Sequence, residues 1–282
     1  MSQILSTNIA ILLSTYNSSL YLKEQLDSLL LQSNQKWDLF IRDDGSTDNT
    51  LDIIAQYSKK YSNIHLIKDL NIGLGPRDSF LYLLQFVKAE YYMFCDHDDV
   101  WLPNKVDVTL NRMKILSSKY SDKPILICSD LCVVDSNLNI ISDSLWHLCK
   151  VSPAILCRNY KYLSVCNFVT GCTMMINNAV KECVFPYPAV APMHDFYIAL
   201  KVARVGIIDY ISKPLILYRQ HGANSIGAEA YPNHVIKEKI KSFRHFIYVN
   251  QCLYKSVSSV VPISYIEYWY YKIMYFFKRT ER

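Results

Sequence analysis

The sequence predicts an α/β fold in which a mostly parallel sheet is flanked by helices, with a helical extension at the C-terminal end. In the first half of the chain, short apolar runs alternate with longer segments of helical periodicity. This alternation is typical of parallel strands that are joined by crossover helices. At four points a strand-like run ends in a polar motif. Open α/β sheets bind their ligands at the carboxyl ends of the strands, so we expect a binding site there.

The elements of the first half follow one another in a regular order. The predicted strands are short apolar runs bounded by polar residues, and they span Ile9–Ser14, Trp37–Arg42, Ile64–Lys68, Tyr91–Cys95 and Ile125–Ser129. The predicted helices share a helical spacing of apolar side chains, and they span Leu20–Leu31, Thr47–Lys60, Ser79–Lys88 and Pro103–Ser118. The last of them has a proline in its first turn, where proline is favoured.

The second half of the chain is less regular. Its sequence predicts strands at Val169–Ile176 and Pro214–Tyr218, and helices at Asp195–Val205 and Val235–Val249. Residues 136–168 are rich in loops and are left without an assignment.

Length and cysteine content limit the classes of protein to which the chain can belong. The chain has 282 residues and 51% of them are hydrophobic, so a large core is available. The nine cysteines are odd in number and include no Cys-x-x-Cys pair. Neither a zinc site nor a disulfide framework is therefore expected, and a reducing cytosol suits the chain better. The N-terminal residues lack the basic and apolar segments of a signal peptide, so we expect a cytoplasmic protein.

Positive charge is concentrated at the C-terminal end. Residues 231–282 contain nine Lys or Arg and three Glu, whereas the preceding residues are close to neutral. This excess indicates a local partner such as an anionic surface, but it contains no motif that would predict a nucleic-acid partner. Within it, Ser264–Lys278 is aromatic and too short to span a membrane. Two interpretations stay open: an interfacial amphipathic helix, or an ordinary helix that packs on the rest of the chain.

The acidic segment Asp96-His97-Asp98-Asp99 follows the fourth predicted strand directly. Carboxylates this close together repel one another unless a cation lies among them. A hard divalent metal at a strand end usually serves phosphate chemistry. Asp99 has a simpler interpretation as the cap of the helix that begins near Pro103.

Polar motifs also follow the first three predicted strands, at Ser14–Asn17, Arg42–Asp48 and Asn71–Arg77. The third of these is neither a GxGxxG segment nor a Gly-Lys-Ser/Thr loop. A nicotinamide site and an ATP-binding P-loop are therefore disfavoured. One such motif would mean little, because Asp-Gly-Ser alone is usually a turn with a helix cap. Four polar motifs at the same edge of the sheet, however, favour a binding site.

Together these segments resemble the nucleotide-sugar half of a family 2 glycosyltransferase with the GT-A fold, which is Rossmann-like. The matching stretches are Ser14–Asn17, Asp43–Asn49, Asn71–Arg77 and Asp96–Trp101, with Thr170–Cys172, His194–Asp195 and Tyr218–His221 downstream. The forms Asp-His-Asp-Asp-Val-Trp, His-Asp-Phe-Tyr and Tyr-Arg-Gln-His-Gly-Ala-Asn are most similar to bacterial rhamnosyltransferases. The resemblance implies a catalytic domain over residues 1–230, with a nucleotide-sugar half at 1–130 and an acceptor half at 131–230. Residues 231–282 would be a basic, aromatic helical extension.

The resemblance implies roles for residues of the nucleotide-sugar half. Thr15, Asp43 and Arg77 are similar to residues that hold the nucleotide base. Asp44 lies beside them and could equally orient the loop. Asp96 would approach the ribose or the metal.

It also implies a metal and its ligands. Asp98 would coordinate a Mg²⁺ or Mn²⁺ that bridges the diphosphate and neutralises charge on the leaving group. His221 is expected as a further metal ligand, with a buried strand-end histidine as the alternative. Arg219 is expected at the diphosphate, with a surface salt bridge as the alternative.

The acceptor half carries the expected general base, Asp195. A sugar hydroxyl is a poor nucleophile, so a carboxylate must take its proton during attack. A helix cap is the alternative interpretation for this residue. His194 would orient the acceptor or the base, or be structural, and Gly171 and Cys172 would line the sugar–acceptor junction.

The expected activity is an inverting transfer from a nucleotide-diphospho-sugar, with dTDP-L-rhamnose as the leading donor. A UDP-hexose or UDP-N-acetylhexosamine is the alternative donor. The expected acceptor is a bacterial cell-surface glycan or lipid-linked intermediate, with the protein at the inner face of the cytoplasmic membrane. Remoter alternatives are a metal-dependent nucleotidyltransferase, which would need a basic loop that Ser14–Ser19 lacks, and an inactive glycan-binding module.

Overall fold

The computed structural model describes residues 6–69, 73–189, 191–221 and 243–280. Within them, nine strands form one mixed sheet. Its strands are β1 (Ser6–Thr15), β2 (Asp38–Asp43), β3 (Ile64–Leu66), β4 (Lys88–Cys95), β5 (Val100–Trp101), β6 (Ile125–Val134), β7 (Ile140–Ser142), β8 (Met175–Asn177) and β9 (Ile207–Arg219). The predicted α/β class is confirmed.

Helices connect the strands of the first half and dominate the end of the chain. The longer ones are α1 (Leu22–Leu30), α2 (Thr50–Lys60), α3 (Gly75–Phe86), α4 (Lys105–Lys119), α9 (His194–Val205), α10 (Phe243–Ser258) and α11 (Tyr265–Thr280). The short ones are α5 (Leu145–Leu148), α6 (Pro153–Leu156), α7 (Tyr160–Leu163) and α8 (Val180–Val184), with a 3₁₀ turn at Gly171–Thr173.

The strand order creates a crevice at one edge of the sheet. The order is β3-β2-β1-β4-β8-β6-β9-β5, with β7 beside β6. Strands β3, β2, β1 and β4 are parallel neighbours, and the chain order reverses between β1 and β4. Thr15 pairs with Asp43 of β2, and Leu13 pairs with Cys95 of β4. The loops that follow these strands therefore leave the sheet at one level, which is where open α/β sheets bind ligands.

Alternating side chains of each central strand enter two apolar layers, one on each face of the sheet. In β1, Ile9, Ile11 and Leu13 join one layer, and Ala10 and Leu12 join the other. This period-two burial on both faces is expected for a parallel strand covered by helices. The sheet edge that carries the polar loops is thus held by a rigid scaffold.

The irregular half departs from prediction in two places. The predicted strand Val169–Ile176 is wrong over its first part, since Gly171–Thr173 forms a 3₁₀ turn and only Met175–Asn177 pairs as β8. The strand β9 begins at Ile207, before the predicted Pro214. The predicted helix Val235–Val249 lies partly outside the described residues, and α10 continues to Ser258.

The two C-terminal helices pack on the second half of the sheet domain. Tyr268 and Tyr275 of α11 are buried in the same apolar layer as Phe168 and Phe196. The Ser152 amide donates to the Tyr275 hydroxyl at 3.1 Å. In the parts of the chain that the structure describes, no helix has the length and apolar character needed to cross a bilayer.

Candidate active site

A cavity of about 970 Å³ opens at the carboxyl edge of the sheet. Its walls come from the loops after β1 and β4, the glycine loop before α3, the 3₁₀ turn, the start of α9 and the end of β9. Eight of the sequence-predicted site residues line it: Thr15, Asp44, Asp96, Asp98, Gly171, His194, Asp195 and His221. The tertiary structure therefore brings together residues from both halves of the chain.

Asp43 fixes the loop after β2. Its carboxylate accepts hydrogen bonds from the Thr15 hydroxyl at 2.8 Å and from the amides of Gly45 and Ser46 at 3.1 and 2.8 Å. The Ser46 hydroxyl donates to it at 2.6 Å. Four donors around one carboxylate make this loop rigid, so Asp43 shapes the wall of the cavity from behind Thr15.

Asp44 orients the glycine loop, as one of its two interpretations expected. The Leu74 and Gly75 amides donate to its carboxylate at 2.9 and 2.7 Å, and the buried Arg42 guanidinium donates at 2.8 Å. Burial raises the pKa of Asp44, but the hydrogen bonds from Arg42 and the two amides outweigh it and leave this pKa lowered. Gly75 has φ +76, a left-handed conformation that glycine adopts without strain.

Arg77 lies away from the cavity lining. Its guanidinium forms hydrogen bonds with Asp78 at 2.7 and 3.0 Å and with the carbonyl of Ala191 at 3.1 Å. These contacts tie α3 to the segment before α9. The resemblance implied that Arg77 lies with Thr15 and Asp44. In the structure it does not line the cavity that these two residues line.

Asp98 and His221 meet at the other end of the cavity. His221 Nε2 lies 2.9 Å from Asp98 Oδ2, and the His221 ring lies 4.9 Å from the Tyr21 ring. Burial, together with the negative charges of Asp98 and Asp195, raises the pKa of Asp96 to about 7. Negative charge in this pocket is therefore not fully compensated by protein groups.

A buried layer lies beneath the cavity floor. Cys172 is fully buried and does not line the cavity, which corrects its expected place at the sugar–acceptor junction. Its thiol and the Asp96 and Asp99 carboxylates have ligand atoms within 4.8 Å of one another. Burial, together with Asp99 and Asp96, raises the pKa of the Cys172 thiol. A protonated thiol is a poor ligand for a hard cation.

The sequence analysis missed Lys105 in this layer. Lys105 is fully buried, and its ammonium lies 3.4 Å from the centre of the Trp101 ring. Burial lowers its pKa to about 8, although Cys172, Cys95 and the acids oppose that shift. A lysine at the first residue of a helix is unfavourable, because its charge opposes the helix dipole. This unfavourable position was the sequence signal that Lys105 does something other than stabilise its helix.

Arg219 is bound by protein groups. Its side chain is buried, and it donates to the carbonyls of Asp98 at 2.8 Å and Ser136 at 2.6 Å, and to the Glu24 carboxylate. Its backbone amide donates to Asp99 at 3.1 Å. The guanidinium also stacks on Tyr21 at 4.5 Å. These contacts connect the acidic segment to the end of β9, and they replace the surface salt bridge that was the alternative.

Asp195 is the second residue of helix α9 and lines the cavity. Burial raises its pKa to about 6, and hydrogen bonds from the Phe196 and Gly171 amides oppose the shift. The Phe196 amide donates to Asp195 Oδ1 at 2.6 Å, but Asp195 lies in the first turn and the N-cap residue of α9 is Met193. A carboxyl group that titrates near neutrality is suited to accept a proton during a reaction.

His194 lies between aromatic rings beside this carboxylate. Its ring centre is 4.4 Å from that of Phe80 and 5.4 Å from that of Phe94. Burial lowers its pKa to about 3, so the imidazole is neutral. Within the described residues, neither ring nitrogen has a hydrogen-bond partner. Both nitrogens are buried, although the residue contributes to the cavity wall.

By residue type, the donors that line the cavity suit a hard divalent cation, whereas the group of described residues with ligand atoms within 4.8 Å of one another is Asp96, Asp99 and Cys172. Asp96 and Asp98 supply carboxylate oxygens and His221 an imidazole nitrogen, and all three line the cavity. Mg²⁺ and Mn²⁺ prefer carboxylate ligands, and imidazole is compatible with Mn²⁺. Burial is the main cause of the raised pKa of Asp96, and the charges of Asp98 and Asp195 add to it; the same crowded negative charge attracts a cation.

The family model described as "Glycosyl transferase family 2" matches residues 10–119, which carry the loops after β1, β2 and β4. The chain is 26% identical over 233 residues to the dTDP-rhamnosyl transferase RfbG of Shigella flexneri, covering 77% of this chain and 74% of that protein. It is 33% identical over 147 residues to a poly(ribitol-phosphate) beta-glucosyltransferase of Bacillus spizizenii, covering 46% of this chain but 23% of that protein. For several other relatives, too, the chain spans less than two thirds of their length.

Solved structures share the fold at lower identity. The S. aureus TarS 1–349 structure in complex with UDP-GlcNAc matches with a TM-score of 0.61 and 18% identity, over 95% of this chain and 71% of that one. The mannosyltransferase PcManGT from Pyrobaculum calidifontis, in complex with GDP-Man and Mn²⁺, matches with a TM-score of 0.53 and 15% identity, over 98% and 86%. Together, the family model, the relatives along most of the chain and the shared architecture identify a glycosyltransferase with the GT-A fold, in which residues 10–119 match family 2.

Proposed function

We propose that the protein transfers a sugar from a nucleotide-diphosphate donor to a hydroxyl group, with inversion at the anomeric carbon. The observation that carries the proposal is one cavity that holds both Asp98 with His221 and the carboxylate of Asp195. The first pair suits a cation beside a diphosphate, and the second suits a base beside an acceptor hydroxyl.

The nucleotide would lie against the loops that follow β1 and β2. Thr15 faces the cavity while Asp43 behind it holds its hydroxyl at 2.8 Å, and Asp44 holds the glycine loop in place. We assign Arg77 the task of tying α3 to the segment before α9, because its guanidinium donates to the Ala191 carbonyl.

Asp96, Asp98 and His221 would hold a Mg²⁺ or Mn²⁺ ion, with Asp96 also within reach of the ribose. When bound, the ion supplies Lewis-acid stabilisation of the leaving nucleoside diphosphate. We assign Arg219 the task of holding Asp98 and Asp99 at the end of β9, because its guanidinium donates to the Asp98 carbonyl and its backbone amide donates to the Asp99 carboxylate.

Asp195 would accept the proton of the acceptor hydroxyl as its oxygen attacks C1 from the face opposite the diphosphate. In this single displacement the C1–O bond to the diphosphate breaks as the new glycosidic bond forms, and no sugar–enzyme intermediate arises. The pKa of about 6 leaves Asp195 ionised at neutral pH and still basic enough to assist attack. Gly171 and His194 border this position and would contact the acceptor or the transferred sugar.

We propose dTDP-L-rhamnose as the donor, because RfbG is named a dTDP-rhamnosyl transferase and is similar along 77% of this chain. A UDP-hexose or UDP-N-acetylhexosamine is the second candidate, favoured by the shared fold with TarS in its UDP-GlcNAc complex. The acceptor would be a hydroxyl of a cell-surface glycan or lipid-linked intermediate, made in the cytoplasm. The catalytic domain would comprise residues 1–230 and the extension residues 231–282.

A donor screen tests the proposal. Thermal unfolding and donor hydrolysis are measured with dTDP-rhamnose, UDP-glucose and UDP-GlcNAc, each with Mn²⁺ and with EDTA. We expect one donor to raise the unfolding temperature only when Mn²⁺ is present, and to be hydrolysed slowly. Asp195→Asn should keep the stabilisation while losing transfer. If no nucleotide sugar stabilises the protein in any condition, the proposal is wrong.

A further inference from the structure

The last helix, α11, exposes its more apolar face. Ile266, Tyr270, Ile273 and Phe277 follow one another at intervals of four, three and four residues, so they lie on one side of the helix. Their exposed fractions are 82%, 56%, 53% and 58%. These four residues are called the apolar stripe below. In a helix at the surface of a globular domain, the outward side is ordinarily the polar one.

The opposite side of α11 explains why this orientation is fixed. Tyr268 and Tyr275 point into the domain core and are 0% and 3% exposed. Hydrogen bonds and an ion pair secure that side, since the Tyr268 hydroxyl donates to Asn250 at 3.2 Å and Lys161 pairs with Glu267. The helix cannot roll to bury the apolar stripe without breaking these contacts. Exposure of the stripe is therefore built into the fold.

Two cations lie at the C-terminal end of α11. The Lys278 ammonium lies 5.1 Å from the Tyr162 ring centre, and the Arg279 guanidinium lies between the buried Tyr275 and the exposed Phe276, 5.9 and 5.3 Å from their ring centres. Phe276 is itself 53% exposed. Long basic side chains beside an apolar surface can extend their charges to the boundary with water while their stems stay in apolar contact.

We propose that the apolar stripe docks α11 on an anionic lipid surface, with the helix axis parallel to the membrane plane. Aliphatic and phenyl side chains would enter the boundary between headgroups and acyl chains, where tyrosine rings are also favoured. Lys278 and Arg279 would face the anionic headgroups, and the net charge of +6 over residues 231–282 adds long-range attraction.

Charge decides between a membrane and a second copy of the chain. The spacing of the stripe would also suit a short helix–helix seam. However, pairing two copies would bring two basic extensions together, and like charges repel. An anionic surface turns the same charge into attraction. The proposal extends the proposed function, because it would hold the cavity near a lipid-linked acceptor, but lipid binding is measured without any turnover.

Vesicle sedimentation of the full chain tests the proposal. The vesicles contain phosphatidylcholine alone or with phosphatidylglycerol, and the variant is Ile273→Glu/Phe277→Glu. Its control is Ile115→Glu on α4, where an isoleucine that is 60% exposed lies on a different helix. We expect binding to the anionic vesicles, a loss of about tenfold or more in the double variant because buried apolar area is removed, and no loss in the control.

A second variant tests the basic border. Lys278→Gln/Arg279→Gln should lower affinity for anionic vesicles by about tenfold, and added salt should weaken binding of the parent protein. Circular dichroism shows whether each variant is folded.

The proposal is overturned if the parent protein does not bind anionic vesicles, or if the stripe variant binds as well as the parent. It is also overturned if the parent is a dimer that the stripe variant converts to a monomer. The rise in unfolding temperature caused by a donor, measured in the donor screen, tests the proposed function separately.

Discussion

The Nε2 atom of His194 lies 2.7 Å from the point that a β-carbon on Gly171 would occupy. Real β-carbons do not approach another heavy atom so closely, so residue 171 must be glycine while the imidazole stays where it is. His194 is also confined by Phe80 and Phe94. The pair therefore fixes one wall of the cavity beside Asp195.

Gly171→Ala should displace the imidazole and lower kcat/KM by roughly 10–100-fold, because small misplacements near reacting atoms are costly. The measurement is sugar transfer at varied donor and acceptor concentrations. A double-mutant cycle gives the control. Gly171→Ala/His194→Ala should be no worse than His194→Ala alone, since the clash has gone. Additive losses from the two changes would contradict the coupling.

The raised pKa of Asp195 predicts the acidic limb of the pH–rate profile. Burial raises its pKa to about 6, and only the carboxylate can accept a proton, so kcat should fall as pH decreases below about 6. Asp195→Asn should lower kcat by about 10²–10⁴-fold at pH 7.5. A variant that keeps more than a tenth of the activity would exclude Asp195 as the base.

The same pKa shift makes a prediction about stability. The folded pKa lies above the ordinary value of 3.8, so the folded state binds this proton more tightly than the unfolded chain. The contribution of Asp195 to the free energy of unfolding is present below about pH 4 and is lost as pH rises through about 6. At pH 7.5, Asp195→Asn should therefore unfold at the same temperature as the parent or higher, which separates lost catalysis from misfolding.

Asp98→Asn tests the metal centre. Removing one negative charge from the set of Asp96, Asp98 and His221 should weaken Mn²⁺ affinity by about tenfold or more, measured by titration calorimetry without donor. His221→Ala should act in the same direction, because its imidazole faces Asp98 at 2.9 Å. Asp209→Asn, in an exposed ion pair with Arg112, is the control and should bind Mn²⁺ like the parent. Equal affinity in all four proteins would place the metal elsewhere.

Arg219 should prove structural. Arg219→Gln removes donors to two carbonyls and leaves them in a largely buried setting, which should cost about 2 kcal/mol of stability and lower the unfolding temperature by roughly 4–8 °C. The matched control is Arg112→Gln, because the exposed pair of Arg112 with Asp209 should contribute less than about 1 kcal/mol. If Arg219→Gln kept full stability and lost donor binding, Arg219 would contact the diphosphate after all.

The first half of the fold was predictable because local signals agree there. Apolar runs and helical segments alternate along the chain, and the observed strands β1 to β4 fall on the predicted runs. The second half was harder because its signals are short and mixed. Val169–Ile176 reads as an apolar strand, yet Gly171–Thr173 forms a 3₁₀ turn in which a β-carbon on Gly171 would clash with the His194 imidazole. The local sequence pattern around Gly171 carries no information about this contact with a distant residue.

The resemblance named eight residues that line one cavity, but it could not separate residues that line the cavity from those that support it. Arg77 and Arg219 both look suited to phosphate in a sequence. Their hydrogen bonds to Ala191, Ser136 and Asp98 become visible only when distant segments meet. Lys105 was overlooked for the same reason, since its burial on Trp101 depends on the packing of the whole layer beneath the cavity.

By itself, the sequence determined which elements form and which polar motifs end the strands, since both follow from short-range periodicity and turn chemistry. It also determined that the C-terminal segment is basic and aromatic. Only the tertiary structure decided which of these side chains share one cavity, because Asp98 and His221 lie 123 residues apart in sequence and meet at 2.9 Å. It also decided which side of α11 faces outward, since contacts with distant residues such as Ser152 and Lys161 hold the other side down.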